Sequence, residues 1–280
     1  MPERQSPTLR RRRLAQELRR LREEAKMKSA EVAAQLEWAP SKLTRMERNE
    51  GKRYDVNDIA LLCKVYGTDD RLRDHLMQLA RDGRKKGWWE PYHAMLSEEL
   101  TTYIGLEAEA SSVLSFEPLM VPGLLQTEAY ARAVIRGGPA EISDEEVEAR
   151  VEIRMRRQRA LRDSPALRVI AVMDEAVLHR QVGSRETMRA QFDYLQEIAR
   201  LPRVTLHVIP FEAGAHAGMT SSFHILQFPD ARDPDAVYVD LVAGEMFMED
   251  PEEVERFHVA FTGLVGAARS HSDSLALIAE

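Results

Sequence analysis

The sequence predicts two domains of different class: an all-α N-terminal domain of five short helices, and an α/β or α+β C-terminal domain with a mixed sheet. Three observations predict this. Apolar residues recur at three- and four-residue spacing in five consecutive segments up to residue 82. From residue 98 onward, helical patterns alternate with short apolar runs of strand length. The charge also divides: residues 1–86 hold 22 Lys and Arg against 14 Asp and Glu, while the rest of the 280-residue chain holds 17 against 32.

The first helix is expected over residues 8–25, with Leu14, Leu18, Leu21 and Ala25 on one face. The second spans 29–36, with Ser29 as its N-cap and Val32, Ala33 and Leu36 inward. After Glu37, Trp38 and Ala39, Pro40 suits the first turn of a third helix reaching about Arg48. Asn49 and Gly51, which tolerate left-handed backbone, end it. A fourth helix covers 56–66 and a fifth 70–82, with Leu72, Leu76 and Leu79 inward. The single cysteine, Cys63, lies among Ile59, Leu62 and Tyr66 and reads as a small core residue. One cysteine makes no internal disulfide and no cysteine zinc site, and it fits a reducing cytoplasm.

Two short helices joined by a three-residue break, inside a five-helix domain, are what a helix-turn-helix requires. Ala33 is small enough to let the second helix approach the third. On the third helix Leu43 and Met46 turn inward, leaving Ser41, Lys42, Thr44, Arg45 and Arg48 on outer faces. Arg and Lys bond guanine edges or phosphates, and Ser and Thr bond bases or backbone. The net +8 of residues 1–86 suits double-stranded DNA as partner. The basic run 10–13 reads either as a solvated helix start or as extra phosphate contacts.

The stretch Ser29-Ala-Glu-Val-Ala-Ala-Gln-Leu36 followed by Pro40-Ser-Lys-Leu-Thr-Arg-Met-Glu-Arg48 resembles the lambda-repressor-like, XRE-type family. In that family the second of these helices enters the major groove. The resemblance implies DNA contacts from Ser41, Lys42 and Arg45, secondary contacts from Thr44 and Arg48, and phosphate contacts near Ser29. It makes Glu47 a structural position. Glu37 stands where the family has a turn glycine, and Asn49 where it has a second one.

Residues 83–97 read as a basic linker that includes Trp88-Trp89, a pair expected to dock on a domain surface, and separates domain 1–82 from domain 98–280. Residues 100–115 are helical in pattern, and 116–125, with Pro118, Pro122 and Gly123, form an irregular bend. Ser143-Asp-Glu-Glu146 is a capping box opening a helix to about Arg162. Residues 167–173 read as a buried strand, and Ser184 caps a helix to about Leu201. Residues 204–209, 223–228 and 237–242 read as strands, and Asp250-Pro-Glu-Glu253 opens a final helix ending near Arg269.

Phe116-Glu-Pro-Leu-Met-Val-Pro-Gly-Leu-Leu-Gln-Thr-Glu-Ala-Tyr130, Arg154-Met-Arg-Arg-Gln158, Met173-Asp-Glu-Ala-Val-Leu178 and Val237-Tyr-Val239 resemble a bacterial regulator family common in filamentous actinobacteria. Its members join an XRE-type domain to a C-terminal domain of unknown function, sometimes labelled antitoxin-like. The resemblance implies a cytoplasmic transcriptional regulator, nucleoid-associated when bound to DNA, and often encoded beside a small partner protein. Control by that partner and control by a small-molecule effector near the 118–126 bend both remain open, as does an adaptor that binds protein instead of DNA. Two-fold sites argue for a homodimer on half-sites about one helical turn apart, assembled mainly through the C-terminal domain.

Enzyme chemistry finds no support. Asp174, Glu175 and His179 lack a third ligand at a recognisable spacing, and they read as an ordinary helix turn. His207, His216 and His224 read as surface or satisfied core residues rather than a metal site. Neither phosphate-binding glycine spacing occurs, so no cofactor is expected. No apolar run approaches a membrane span, and the polar first thirteen residues argue against a secretory signal.

Overall fold

A computed structural model describes residues 6–50, 53–138, 142–163, 167–241 and 244–280. The chain divides into two compact units, Met1–Pro91 and Tyr92–Glu280. The first contains α1 (Pro7–Glu24), α2 (Ser29–Gln35), α3 (Pro40–Glu47), α4 (Val56–Tyr66) and α5 (Asp70–Asp82). Of the residues the periodicity singled out, Leu14, Leu18, Leu21, Val32, Leu43, Met46, Ile59, Leu62, Cys63, Leu76 and Leu79 are buried in its core, Leu36, Tyr66 and Leu72 pack half-buried against it, and Ala25, the C-cap of α1, is exposed.

The bounds of α4 and α5 follow from their ends. The Asp55 carboxylate accepts from Asn57 N–H at 2.8 Å, and the Asp69 carboxylate from Leu72 N–H at 2.7 Å. Gly67, at φ 69°, closes α4 in the left-handed conformation. At α2 the expected cap moves by one residue. Lys28 is the N-cap and Ser29 is the first helical residue, because the Glu31 carboxylate reaches back to Lys28 N–H at 3.0 Å. The basic run near the start of α1 is partly structural. Arg12 is buried, and Arg11 donates to Gly83 O at 3.1 Å. The expected role of Gly51 falls outside the described residues.

The second unit contains α6 (Glu98–Glu107), β1 (Ser112–Glu117), α7 (Glu128–Arg136), α8 (Asp144–Asp163), β2 (Arg168–Asp174), α9 (Ala176–His179), α10 (Arg185–Ile198), β3 (Val204–Ile209), β4 (Phe223–Gln227), β5 (Ala236–Leu241), β6 (Gly244–Met248), α11 (Pro251–Ala267) and α12 (His271–Ala279). These strands form one mixed six-stranded sheet in the order β3-β2-β1-β4-β5-β6. β1, β2 and β3 run parallel, joined by helical crossovers, while β4, β5 and β6 add on antiparallel. One face packs Phe116, Val172, Phe223, Ile225 and Val237 against Phe261 and Leu264 of α11.

Several expectations needed correction. The helix predicted over 100–115 ends at Glu107, and Ser112–Glu117 is the strand β1. All six residues of β1 are buried at the centre of the sheet, so the strand lacks the alternation that would have separated it from a helix. The irregular bend therefore begins after Glu117 and contains a 3-10 turn, Gly123–Leu125. α11 is not the final helix: it ends at Ala267, and α12 follows, capped by Ser270, whose hydroxyl accepts from Asp273 N–H. α12 lines the outer edge of β3. Val208 N–H donates to Ser274 Oγ at 2.9 Å, and Leu206 N–H to His271 Nδ1 at 3.1 Å. The strand expected over 237–242 runs over Ala236–Leu241, with Val242 outside the described residues.

Candidate nucleic-acid interface

Helix α3 is short and held from below. Leu43 and Met46 are buried beneath it, and Pro40 occupies its first turn. Its seat is electrostatic as well as apolar. Arg22 of α1 grips Glu47 with two bonds, Nε to Oε1 at 2.7 Å and Nη2 to Oε2 at 2.9 Å. The same guanidinium donates to Met27 O at 3.0 Å, which ties the α1–α2 turn into the arrangement. The Glu47 hydrogen bonds hold the Arg22 pKa above its ordinary value. Behind the exit of α3, Tyr54 donates its hydroxyl to Met46 O at 2.8 Å, and Arg84 Nε donates to Tyr54 O at 2.9 Å.

The turns on either side of α3 need left-handed backbone. Glu37 adopts φ 56° and Asn49 φ 55°, both without a glycine. Asn accepts this conformation readily; for Glu it is strained.

The six expected contact residues separate into different environments. Ser41, Arg45 and Arg48 are exposed and fall at spacings of four and three, forming one outward stripe along α3. Arg45 has no ion-pair partner among the described residues, and Arg48 has only a loose one, 3.8 Å from Glu50. Thr44 turns toward α2, its hydroxyl 3.3 Å from that of Ser29. Ser29 and Thr44 thus stitch the two helices together. Lys42 leans toward α4: its Nζ lies 2.8 Å from Asp58 Oδ2 and 3.8 Å from the centre of the Trp38 ring. Its charge is partly spent inside the domain. Sequence reasoning could not see that contact, because Asp58 lies on another helix. It also passed over Lys28 and Arg53, both exposed, which flank the start of α2 and the exit of α3. Their charge type and position beside the two helices were the available signals.

The other candidate clusters resolve into separate local contacts. Glu175 and His179 lie 3.2 Å apart, and Glu175 Oε2 accepts from Phe211 N–H at 2.8 Å, so the pair braces the turn after β2. His207 contacts Arg269 O at 2.9 Å, His216 contacts Asp174 at 3.3 Å, and His224 contacts Glu117 at 3.3 Å. The three histidines thus have three different partners. Among the described residues no group of three or more His, Cys, Asp or Glu could hold a metal ion. No helix among the described residues is long and apolar enough to cross a membrane.

Comparison with known proteins agrees with this architecture. Residues 13–76 match the model of a helix-turn-helix domain family. Residues 100–280 match the model of a domain of unknown function, DUF5753. No curated protein and no solved structure matches the chain.

Proposed function

The chain belongs to the DUF5753 family and carries a helix-turn-helix domain ahead of that region, and from this premise we propose that it is a sequence-specific, double-stranded-DNA-binding transcriptional regulator rather than an enzyme. The observation that carries the reading is the Ser41–Arg45–Arg48 stripe on α3, exposed on a helix whose opposite face is pinned by Leu43, Met46 and the Arg22–Glu47 pair. A rigid helix with an unspent guanidinium at its centre is suited to bidentate recognition of guanine in the major groove. Ser29, Lys28 and Arg53 flank it as phosphate contacts. Lys42 and Thr44 serve first to hold α3 and only secondarily to touch DNA.

The protein acts as an XRE-type homodimer, because one recognition helix gives little affinity and two-fold half-sites multiply it. Its acidic C-terminal unit supplies dimerisation and control, by a small partner protein in the antitoxin-like manner or by a small ligand. Binding to a selected duplex, read by fluorescence anisotropy across a salt series, tests the contact assignment. Arg45→Ala should weaken binding to the preferred site by about 1–3 kcal/mol and relax specificity at one position per half-site. Arg53→Ala should weaken preferred and random duplexes alike and flatten the salt dependence. Equal losses on both duplexes for Arg45→Ala would remove base reading from this residue. A wild-type protein that binds no duplex would move the reading to a helix-turn-helix that docks protein.

A further inference from the structure

The two edges of the sheet are finished differently. At β3 the turn between α11 and α12 takes up the outer backbone groups: Arg269 N–H donates to Val208 O at 2.9 Å, beside the Ser274 and His271 contacts. At β6, the opposite edge, no described residue hydrogen-bonds to the outer side. Which groups lie there follows from the register. Leu241 pairs with Gly244 across a two-residue connection, so this pair exchanges both of its hydrogen bonds. Alternation then turns the N–H and C=O of Met246 and Met248 toward β5, and those of Glu245 and Phe247 outward. Water meets these groups in an isolated chain, so the backbone permits a further strand without demanding one. The side chains supply the preference.

β6 lacks the devices that blunt an edge strand. Gly244-Glu-Met-Phe-Met248 has no lysine and no proline, and its register with β5 runs unbroken, without a bulge. Val237, Val239 and Met248 pack in the core beneath α11. Met246, opposite Val239 on that same face, is nevertheless 48% exposed, and Leu241 is 43% exposed. α11 thus stops short of an apolar corner at the sheet edge.

The five residues of β6 are complementary to themselves. Antiparallel pairing about a two-fold axis at Met246 sets Glu245 against Phe247 of a second copy, so outward-bonding residues meet on both strands. Met246 then meets its own copy as the closer, non-hydrogen-bonded pair, with Cβ atoms about 4.5–5.5 Å apart. Met248 falls opposite Gly244, where an added Cβ would find nothing within 4 Å. Charge selects this register. An axis at Glu245 would oppose two glutamates, and an axis at Phe247 would oppose Glu245 and Glu249. Only the axis at Met246 keeps bonding groups matched and like charges apart.

We propose that β6 pairs with β6 of a second copy of this chain, in the register centred on Met246, joining the two sheets into one. This pairing rests on the reading of the chain as a two-fold DNA reader and gives its C-terminal unit the dimerising surface. Sedimentation velocity of the full-length protein over a concentration series tests it, together with disulfide trapping. The wild type should sediment as a dimer. Met246→Lys sets two ammonium groups against each other at the axis and should weaken dimerisation about tenfold or more. Because Met246 is half exposed, this variant should keep the wild-type circular dichroism spectrum. Met246→Cys should form a covalent dimer under mild oxidation, since a disulfide needs Cβ atoms about 3.5–4.5 Å apart and this pair lies close to that. Met219→Cys, 71% exposed between β3 and β4, should not, and the buried Cys63 stays silent. A monomeric wild type overturns the proposal. So does a dimer that Met246→Lys leaves intact, or Met246→Cys linking no better than Met219→Cys. A dimer broken by Met246→Lys in a protein that ignores DNA would keep this interface and remove the DNA reading instead.

Discussion

Replacing Arg22 by Ala tests how α3 is held. The Arg22 side chain is 15% exposed and that of Glu47 7%, and two bonds of 2.7 and 2.9 Å join them. At about 4 Å between charge centres and an effective dielectric near 20, their attraction is about 4 kcal/mol. Desolvation of both groups offsets much of that, so the pair itself stabilises little. Removing one partner is different, because a buried carboxylate is then left without its counter-ion, which costs about 3–5 kcal/mol in a dry site. With the residual exposure of Arg22, about 3 kcal/mol is expected for Arg22→Ala. The double variant Arg22→Leu, Glu47→Leu should lose clearly less than Arg22→Ala alone. All three tryptophans (Trp38, Trp88 and Trp89) lie in the first compact unit, so urea unfolding followed by tryptophan fluorescence reports on that unit selectively. With a urea slope of about 1–2 kcal/mol per molar, the midpoint should fall by roughly 1.5–3 M. A loss under about 1 kcal/mol for Arg22→Ala, or additive losses in the double variant, would refute the claim that this pair seats the helix.

Other substitutions probe separate links. Glu37→Gly should stabilise the same unit by about 0.5–1 kcal/mol, since relief of left-handed strain at φ 56° exceeds the added chain entropy; a lowered urea midpoint would contradict this. Gly218→Ala should destabilise the C-terminal unit by about 1–3 kcal/mol, because an added Cβ would sit 2.1 Å from the fully buried Phe116 ring; far-ultraviolet circular dichroism during melting reads it. Cys63 is 1% exposed, and burial holds its thiol pKa above the usual value, so iodoacetamide should label it only as the helical unit unfolds. Rapid labelling of the native protein would show that this core is open.

What was legible in the sequence follows the physics of each element. Amphipathic stripes are local, so apolar spacing alone bounded α4 and α5 at 56–66 and 70–82, and the structure adds the residues that cap them, Asp55, Gly67 and Asp69. The inward and outward sides of α3 were equally plain from Leu43 and Met46. β1 was misread because both of its faces are buried, and α12 was missed because its task, closing the β3 edge through Ser274 and His271, exists only in three dimensions. The same holds for the interface. Residue types named Ser41, Arg45 and Arg48, but only the fold shows Lys42 drawn to Asp58 and Thr44 set against Ser29.

The proposed role of the outward stripe of α3 is to read DNA sequence. Selection of bound duplexes from a random pool, with purified full-length wild type and Arg45→Ala side by side, tests it most directly. The wild type should enrich a near-palindromic motif with half-sites about one helical turn apart, and the variant should lose preference at one base pair per half-site. A wild type that enriches no motif, or a variant that enriches the same motif unchanged, would contradict it.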